Sequence, residues 1–436
     1  MSTPVKAKAL NCPNCGGTVQ LRGLGQALSA VCIQCLSIID TSSAELRIIQ
    51  QFKVKERVAP LIPLGTRGKL HGADYEAIGF QTRQIMVEGT AYEWREYVLF
   101  NPYKGFRYLS EYDGHWNDIK PLTGLPERVS HQGKPAATWL GKTYRHFQNA
   151  DAETTYVMGE FPWKVMVGER AITDDYVAPP DMLSSEKTGS EVNWSHGVYM
   201  AGEQVRAAFS LPNPLPPSRG VFANQPSPHA GKPGSAWRTA VLLWAALAMV
   251  MFGSSLLMGQ KEVFKQMFTF TQGSRGEPSL VTGAFDLDGR ETNVELSVRT
   301  DLDNRWAYFN FALINEKTGQ AYDFGREVSY YRGRDSDGDW TEGSSGDTVL
   351  IPSVPAGRYY LRVEPEMDPS RPGQSMRYSL TLRRDVPWNL PFFVAFILIA
   401  IPAILITLRS AGFESRRWAE SDYAPSSSGD DEDDDE

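Results

Sequence analysis

Cysteine and histidine are scarce in this chain, which limits the chemistry that it can perform. The 436 residues include only four cysteines and six histidines. The histidines follow neither HxH nor HExxH spacing, so the common zinc-hydrolase arrangement is not predicted. No GxSxG, P-loop or GxGxxG motif stands in a convincing context, and this argues against a serine hydrolase, a nucleoside triphosphatase or a dinucleotide-dependent enzyme.

A basic excess is also missing. Lysine and arginine number 44 against 52 aspartates and glutamates, giving a net charge of −8, so we expect no nucleic-acid partner. Much of the negative net charge comes from seven consecutive acidic residues at positions 430–436. Like charges repel and nothing there can be buried, so we predict an acidic disordered tail over residues 409–436. It serves either as a solubilising end or as a segment that recruits basic proteins or polycations.

Charge is absent from two long apolar stretches, residues 240–258 and 390–408. Each has roughly the 20 residues that a helix needs to cross a hydrocarbon core about 30 Å thick. Buried core helices of a soluble protein are the alternative, but such helices usually keep a polar stripe. We therefore predict transmembrane helices over residues 237–258 and 388–408.

The four cysteines stand together near the N-terminus, as Cys12, Cys15, Cys32 and Cys35. The two CxxC pairs are separated by sixteen residues, a spacing typical of a four-cysteine zinc site. Residues 1–40 are therefore predicted to form a zinc ribbon. Four thiolates leave no open coordination position, which favours a structural zinc ion. A pair of disulfides or a CxxC redox couple are the alternatives.

The cysteines also predict the orientation of the chain in the membrane. Thiolates that bind zinc survive in a reducing compartment, so the N-terminal region should be cytoplasmic. Two spans return the chain to the side on which it started, which puts the C-terminus in the cytoplasm and residues 259–387 outside. Charges flanking the spans are nearly balanced and do not decide the orientation. No apolar signal-peptide segment follows Met1.

Short alternating runs punctuated by glycine predict β-structure over residues 41–210. A faint likeness between its two halves, at residues 64–66 and 140–142, hints at duplicated small barrels. We therefore predict a β-rich, barrel-like domain. A proline-rich linker over residues 211–236 follows it, where the proline density favours extended chain.

Residues 259–387 also alternate, after a brief predicted continuation of the first helix at 262–270. Several strands at this spacing predict an antiparallel β-sandwich of jelly-roll type. The run VPAGRYYLRV at 354–363 resembles pre-peptidase C-terminal β-sandwiches of secreted bacterial proteins. Asp335, Asp337 and Asp339 could converge on Ca²⁺, but the EF-hand order fails, so a solvated acidic loop is the preferred interpretation.

Six short motifs mark residues 60–210: WREY at 94–97, DGHW at 113–116, GEFPW at 159–163, GE at 168–169, DY at 175–176 with PP at 179–180, and LS at 183–184 with Glu186. Together they resemble a bacterial family catalogued as domain of unknown function 4178. The resemblance implies an N-terminal zinc ribbon and a neighbourhood of membrane, envelope-stress and polyamine-synthesis proteins. The resemblance therefore implies a membrane-associated system and transfers no activity. Together with the orientation that the cysteines predict, we expect a bacterial inner (plasma) membrane location, with residues 259–387 periplasmic.

Tryptophans and carboxylates in this region form a candidate ligand pocket, comprising Trp94, Glu96, Glu160 and Trp163. Such a pocket suits a polyamine or another cationic small molecule, through cation–π contacts and ion pairs. Aromatic walls could also raise the pKa of a carboxyl group and make it a general acid of an enzyme. Alternatively, the tryptophans fill barrel cores and the glutamates pair with arginines or cap turns.

From these features we predict a multidomain membrane protein. It is expected to act as an adaptor or sensor that links a periplasmic β-sandwich to a cytoplasmic zinc-ribbon and barrel module, in an envelope-stress or membrane-maintenance system. Its expected partners are the membrane and proteins in the cytoplasm, with polyamines as a further candidate. A cation-binding protein and an enzyme using the Glu/Trp pocket are the two alternatives.

Overall fold

The computed structural model describes residues 8–23, 25–54, 57–273, 279–336 and 338–424. The chain divides into two compact units. The first unit is Met1–Pro233 with Ile406–Glu436, and the second is Gly234–Leu405. Three helices are present in the part of the chain that the structure describes: α1 (Gly202–Ala208), α2 (Lys232–Leu257) and α3 (Leu390–Trp418).

The first unit is built from sixteen strands in the described residues: β1 (Lys8–Asn11), β2 (Thr18–Leu21), β3 (Ser29–Val31), β4 (Ser37–Asp40), β5 (Ile48–Gln51), β6 (Arg67–Leu70), β7 (Ala73–Val87), β8 (Thr90–Asn101), β9 (Gly105–Tyr112), β10 (His115–Pro121), β11 (Glu127–His131), β12 (Lys134–Trp139), β13 (Lys142–Phe161), β14 (Arg170–Ala178), β15 (Asp181–Thr188) and β16 (Glu191–Ala201). Strands β1 and β2 pair in an N-terminal hairpin, and β3, β4 and β5 form a small sheet beside it.

Eight strands close into a barrel in the order β7, β8, β9, β10, β16, β15, β14 and β13, and pairing of β13 with β7 completes the ring. Every neighbouring pair is antiparallel, and closure removes the exposed edges that an open sheet would present. The predicted barrel-like domain is confirmed. Its two halves contribute four strands each to one barrel, rather than forming two small ones.

Two glycines allow the barrel to close. Gly79 of β7 lies opposite Gly159 of β13 in the register of the seam between the two strands. A Cβ atom on Gly159 would collide with the Ile78 carbonyl oxygen, and one on Gly79 would collide with the Glu160 carbonyl oxygen. Gly159 also has a φ of 84°, a left-handed conformation that disfavours other residues. The seam therefore needs glycine on both strands.

The main hydrophobic core of the first unit joins the barrel wall to the segments that cover it. Phe80, Tyr97 and Trp116 of the barrel are fully buried and belong to one cluster with Val205 of α1 and Phe209 just beyond it. The Tyr97 ring stacks on Trp116, with ring centroids 5.7 Å apart. Such aromatic packing stabilises the wall by apolar area and by favourable ring geometry.

The second unit is a β-sandwich between two apolar helices. Its strands are β17 (Lys261–Thr271), β18 (Leu280–Val281), β19 (Phe285–Leu287), β20 (Thr292–Thr300), β21 (Arg305–Asn315), β22 (Ala321–Asp335), β23 (Gly338–Gly343), β24 (Gly346–Val354), β25 (Gly357–Met367) and β26 (Ser375–Arg384). One sheet has the order β17, β26, β20, β24, and the other has the order β18, β25, β21, β22, β23 with β19 also on β25.

The sandwich agrees with its prediction except at its start. Residues 262–270 were predicted to extend the first helix, but they lie in β17, which pairs with β26 along its whole length. Phe264 and Phe268 pack against the sandwich core, and Phe268 lies opposite Tyr378. Aromatic side chains at every second or fourth position are stabilised more by packing on this face of the sheet than they would be on a helix.

Helices α2 and α3 contain the two predicted spans. Both are long and apolar enough to cross a membrane, and only 6% of each apolar window is buried. Trp244 of α2 donates a hydrogen bond to the Phe396 carbonyl oxygen of α3 at 3.0 Å. The bounds differ from the prediction, because α2 begins at Lys232, within the predicted linker, and α3 continues to Trp418.

The predicted tail differs most from the structure. Disorder was expected from residue 409, whereas α3 continues to Trp418 and residues 419–424 follow in described turns. Arg417 and Phe413 are buried in the first unit, and their burial explains why this polar segment remains ordered. Residues 425–436, which include the seven consecutive acids, lie outside the described residues.

Candidate metal centre and barrel lumen

The four cysteines of the N-terminal region form one cluster. Their sulfur atoms all lie within 4.8 Å of one another, and the Sγ–Sγ distances are 3.6 Å for Cys12 with Cys35 and for Cys15 with Cys32. A tetrahedral thiolate site with metal–sulfur bonds of about 2.3 Å has sulfurs about 3.8 Å apart. All four cysteines are free. The cluster could therefore hold a metal ion.

Two similar turns aim the cysteines at each other. In the first turn the Gly16 amide donates to the Cys12 carbonyl oxygen, and in the second the Leu36 amide donates to the Cys32 carbonyl oxygen. Gly16 and Leu36 both have positive φ angles, of 73° and 58°. Burial raises the pKa of Cys35, but hydrogen bonding to Ser37 outweighs it and lowers that pKa to about 6. The lowered pKa favours the thiolate at Cys35, whereas burial raises the pKa of Cys12.

Glu160 fastens this ribbon to the barrel. Its carboxylate is 2% exposed and accepts hydrogen bonds from the backbone amides of Arg22 and Gly23, at 2.5 and 2.9 Å. Burial raises the pKa of Glu160, and the two amide donors act in the opposite direction. Glu160 also lies opposite Ala30 where β13 pairs with β3. Its carboxylate is thus occupied by the ribbon.

The four residues of the predicted pocket do not form one site. Trp94 donates to Glu96 at 2.7 Å, so these two lie together. Trp94 pairs with Arg83 of β7, and Arg83 pairs with Thr154 of β13. Thr154 and Glu160 are six residues apart on β13, which corresponds to about 20 Å along the strand. Trp163 packs against Tyr108 and Phe161 in the main core. The structure brings Trp94 and Glu96 together and places Glu160 at the N-terminal segment instead.

A polar cluster inside the barrel surrounds Trp94 and Glu96. Arg83 of β7 donates to Glu186 of β15 at 2.8 Å and lies 3.8 Å from Glu96. Strands β7 and β15 are separated by β13 and β14 in one direction and by four strands in the other, so this contact crosses the lumen. Gln81 donates to the second oxygen of Glu96 at 2.6 Å.

Negative charge exceeds positive charge in this lumen. Burial lowers the pKa of the Arg83 guanidinium, but the negative charges of Glu96, Glu186 and Glu169 outweigh it and raise that pKa. Burial, and then the nearby Glu186, raise the pKa of Glu169. Burial also raises the pKa of Asp175 to about 6, and Glu186 adds to this increase. One arginine therefore faces several carboxyl groups.

Two polar atoms of the lumen lack hydrogen-bond partners among the described residues. They are Oε1 of Gln81, whose side chain is 4% exposed, and Nε of Arg83, which is 6% exposed. An unpartnered buried donor or acceptor costs about 1–3 kcal/mol, so such atoms usually mark a bound water or ligand. Sequence reasoning missed Gln81 and Arg83. Their only signal was two polar side chains at alternate positions, which places them on the same face of β7.

A third cluster holds the end of α3. The Arg417 guanidinium, 1% exposed, donates to the carbonyl oxygens of Phe222, Ala223 and Gln225 at 3.2, 2.6 and 2.7 Å. It also pairs with Glu414 at 2.9 Å. These contacts tie α3 to the segment between the barrel and α2.

The residues that follow α3 are held by the rim of the barrel. The Asp422 amide donates to the Phe147 carbonyl oxygen, and the Asp422 carboxylate accepts from the Asn149 amide at 2.8 Å. Trp418 packs on Phe147 and stands under the Arg145 guanidinium, which lies 4.2 Å from the ring centroid. Sequence reasoning missed this whole cluster.

The acidic loop considered for Ca²⁺ lies where β22 turns into β23. Asp337 is outside the described residues, and the Asp339 carboxylate is 3.6 Å from Arg334. Within the described ranges, only the four cysteines group closely enough to hold a metal ion. Because Asp337 lies outside these ranges, the solvated acidic loop stays a prediction.

Comparison with known proteins gives little beyond the family of the barrel. No curated protein matches the chain. A VP2 subviral particle of infectious bursal disease virus is 17% identical over 28% of this chain and 31% of that chain, with a TM-score of 0.17. Particles derived from infectious bursal virus are 12% identical over 82% of this chain and 63% of that chain, with a TM-score of 0.18. The chain thus spans less than two thirds of either viral protein, and such low scores establish no common fold.

The barrel itself gives the one specific match. Its model is described as a domain of unknown function, and the matched range begins before β6 and ends in α1. That range contains all eight barrel strands and every motif on which the resemblance rested. Residues 63–202 match the family model "Domain of unknown function (DUF4178)", which confirms the family predicted for this part of the chain.

Proposed function

We propose that this protein is a membrane-anchored adaptor that joins a cytoplasmic ribbon and barrel to a periplasmic β-sandwich through α2 and α3. The observation that carries the proposal is the burial of Arg417. The helix that contains the second apolar stretch continues without interruption to Trp418, and its last turn is fixed to the first unit by the Arg417 contacts. One continuous helix therefore links the second apolar stretch to the segment that Arg417 contacts.

The chemistry of the cysteine cluster supports the orientation. Four thiolates in a tetrahedral arrangement favour zinc, bound for structure because no coordination position stays open. Such thiolates persist in a reducing compartment. We therefore assign the first unit to the cytoplasm of a bacterium, α2 and α3 to its inner (plasma) membrane, and the sandwich to the periplasm. The adaptor would serve a membrane-maintenance or envelope-stress system.

Protease protection tests this arrangement together with the adaptor role. In intact spheroplasts, added protease should cleave only within residues 259–387 and leave epitopes at both termini protected. The full-length protein, solubilised and captured from the same cells, should retain specific cytoplasmic proteins that a chain truncated after residue 387 loses together with the α3 contacts. Cleavage of the ribbon in intact spheroplasts, or identical captured proteins from both chains, would contradict the proposal.

A second candidate function is the binding of an organic cation in the barrel lumen, which would make the adaptor a sensor. The specific observation in its favour is the unpartnered Oε1 of Gln81, next to Glu96 and Trp94. An ammonium group supplies the hydrogen-bond donors that this acceptor lacks, and it balances the excess of carboxylates around Arg83. A polyamine carries several such groups along a flexible apolar chain.

Thermal unfolding of the full-length protein tests the cation site. Spermidine at 100 times its dissociation constant should stabilise the protein by about 2.7 kcal/mol, or roughly 5–10 °C in Tm. The shift should decrease below a pH of about 6, because Asp175 then takes up a proton. Glu96→Gln should remove the shift, whereas the exposed Glu93→Gln on the same strand should keep it. An equal shift with Mg²⁺, or a shift that survives Glu96→Gln, would refute a specific amine site.

A further inference from the structure

A shallow cleft of about 440 Å³ lies in the second unit, beside the ends of both apolar helices. Its walls include Leu257, Lys261, Arg290 and Arg384, with the acids Asp288 and Asp385. Leu257 is the last residue of α2, and Asp385 stands five residues before the start of α3. If α2 and α3 cross a bilayer, this position is the level at which lipid head groups begin.

Two of the three cations in the cleft are free to bind a ligand. Arg384 is buried, pairs with Asp385 at 2.9 Å and donates to the Arg290 carbonyl oxygen at 3.3 Å. Asp385 also accepts a hydrogen bond from Thr292. Lys261 and Arg290 are exposed, and neither forms an ion pair with any residue that the structure describes. Asp288 is the one lining acid without such a pair.

The charge balance therefore favours an anion. The pair of Arg384 with Asp385 is internally neutral, which leaves Lys261 and Arg290 against Asp288. A phosphodiester accepts charge-assisted hydrogen bonds from both a guanidinium and an ammonium group. The Arg384 guanidinium is buried and paired with Asp385, so Lys261 and Arg290 are the donors that the cleft offers.

Leu257 identifies the source of the phosphate. Its side chain is 83% exposed at the edge of the cleft, and the apolar face of α2 continues from it. A free phosphate ion gains nothing from an exposed leucine, whereas the glycerol backbone and acyl chains of a lipid pack against it. We propose that this cleft binds the phosphodiester head group of an anionic phospholipid, with Lys261 and Arg290 as its ligands and Leu257 against the glycerol and acyl region.

Lipid retention by the full-length protein tests the proposal. The protein is reconstituted in nanodiscs of equal parts phosphatidylglycerol and phosphatidylcholine, extracted in mild detergent, and analysed by native mass spectrometry for bound lipid. Wild-type protein should retain phosphatidylglycerol preferentially. The double variant Lys261→Ala/Arg290→Ala should retain about tenfold less, and Arg290→Lys should retain most of it, because an ammonium keeps the charge. Both residues are exposed, so the variants should fold.

A matched pair of exposed cations elsewhere in the sandwich supplies the control. Arg299→Ala/Arg371→Ala removes the same charge toward the opposite end of β26 from Arg384 and should leave lipid retention unchanged. Equal loss in this control would overturn the proposal, because it would reduce the effect to net charge. Undiminished retention in Lys261→Ala/Arg290→Ala would also overturn it. So would displacement of the lipid by millimolar glycerol phosphate or inorganic phosphate, since the site would then bind a soluble anion.

Discussion

Replacing Cys12 with serine should abolish metal binding and unfold the ribbon. Cys12 is buried, and its sulfur stands within 4.8 Å of the other three. Binding free energies of structural zinc sites are about 10–16 kcal/mol at neutral pH, far more than so small a core can replace. Zinc content measured by mass spectrometry should fall from about one ion per chain to near zero, because serine is a poor zinc ligand. Limited proteolysis should then cleave within residues 8–40.

Asn14 provides the matched control for this experiment. It lies in the same turn, between Cys12 and Cys15, and donates to Ser37 without approaching the metal position as a ligand. Asn14→Ala should therefore keep the zinc ion and the protease resistance, at a cost of about 1 kcal/mol for the lost hydrogen bond. A Cys12→Ser protein that still holds one zinc ion per chain and resists protease would contradict a four-thiolate site.

Replacing Arg417 with alanine should destabilise the first unit by about 3–5 kcal/mol, or roughly 10 °C in Tm. The change leaves the carbonyl oxygens of Phe222, Ala223 and Gln225 without a charged donor. It also leaves Glu414 without its partner and opens a cavity beside Phe413, over which the guanidinium lies at 5.2 Å. Thermal unfolding of the full-length protein, followed by tryptophan fluorescence, measures the loss.

The neighbouring arginine separates this effect from a change in net charge. Arg416 is exposed on the same helical turn, so Arg416→Ala should change the free energy of unfolding by less than about 0.5 kcal/mol. Arg417→Lys should fall between the two, because an ammonium cannot serve three carbonyl oxygens in a fork. If Arg417→Ala and Arg416→Ala unfold at the same temperature, the buried arginine does not hold α3 to the barrel.

The parts of the fold that could be predicted are those with a local signal. Two stretches without charge predicted α2 and α3, the spacing of Cys12 to Cys35 predicted the four-cysteine cluster, and alternation predicted the strands. Closure of the barrel has no such signal, because it depends on pairing of β7 with β13 across a large separation in sequence. The seam glycines, Gly79 and Gly159, could be read only as turn or bulge residues.

The site residues divide in the same way. The cysteine cluster was predictable because two short turns determine it, whereas Arg83 and Glu186 meet only across the finished barrel. Glu160 carried a misleading signal, since a glutamate near a tryptophan in sequence need not share its face or its end of the strand. Arg417 was read as part of a polar end because a lone arginine gives no hint that backbone carbonyl groups will surround it.

Glu160 couples the folding of the N-terminal segment to the folding of the barrel. Its carboxylate accepts hydrogen bonds from two amides of the N-terminal segment, and Glu160 directly follows Gly159, where β13 pairs with β7. If loss of a bound ion unfolded that segment, the buried carboxylate would lose both donors at the seam of the barrel. If the cysteine cluster holds an ion as proposed, the supply of that metal in the cell would also determine how firmly β13 stays paired with β7. Depletion of the metal would then affect the barrel lumen without any ligand binding there.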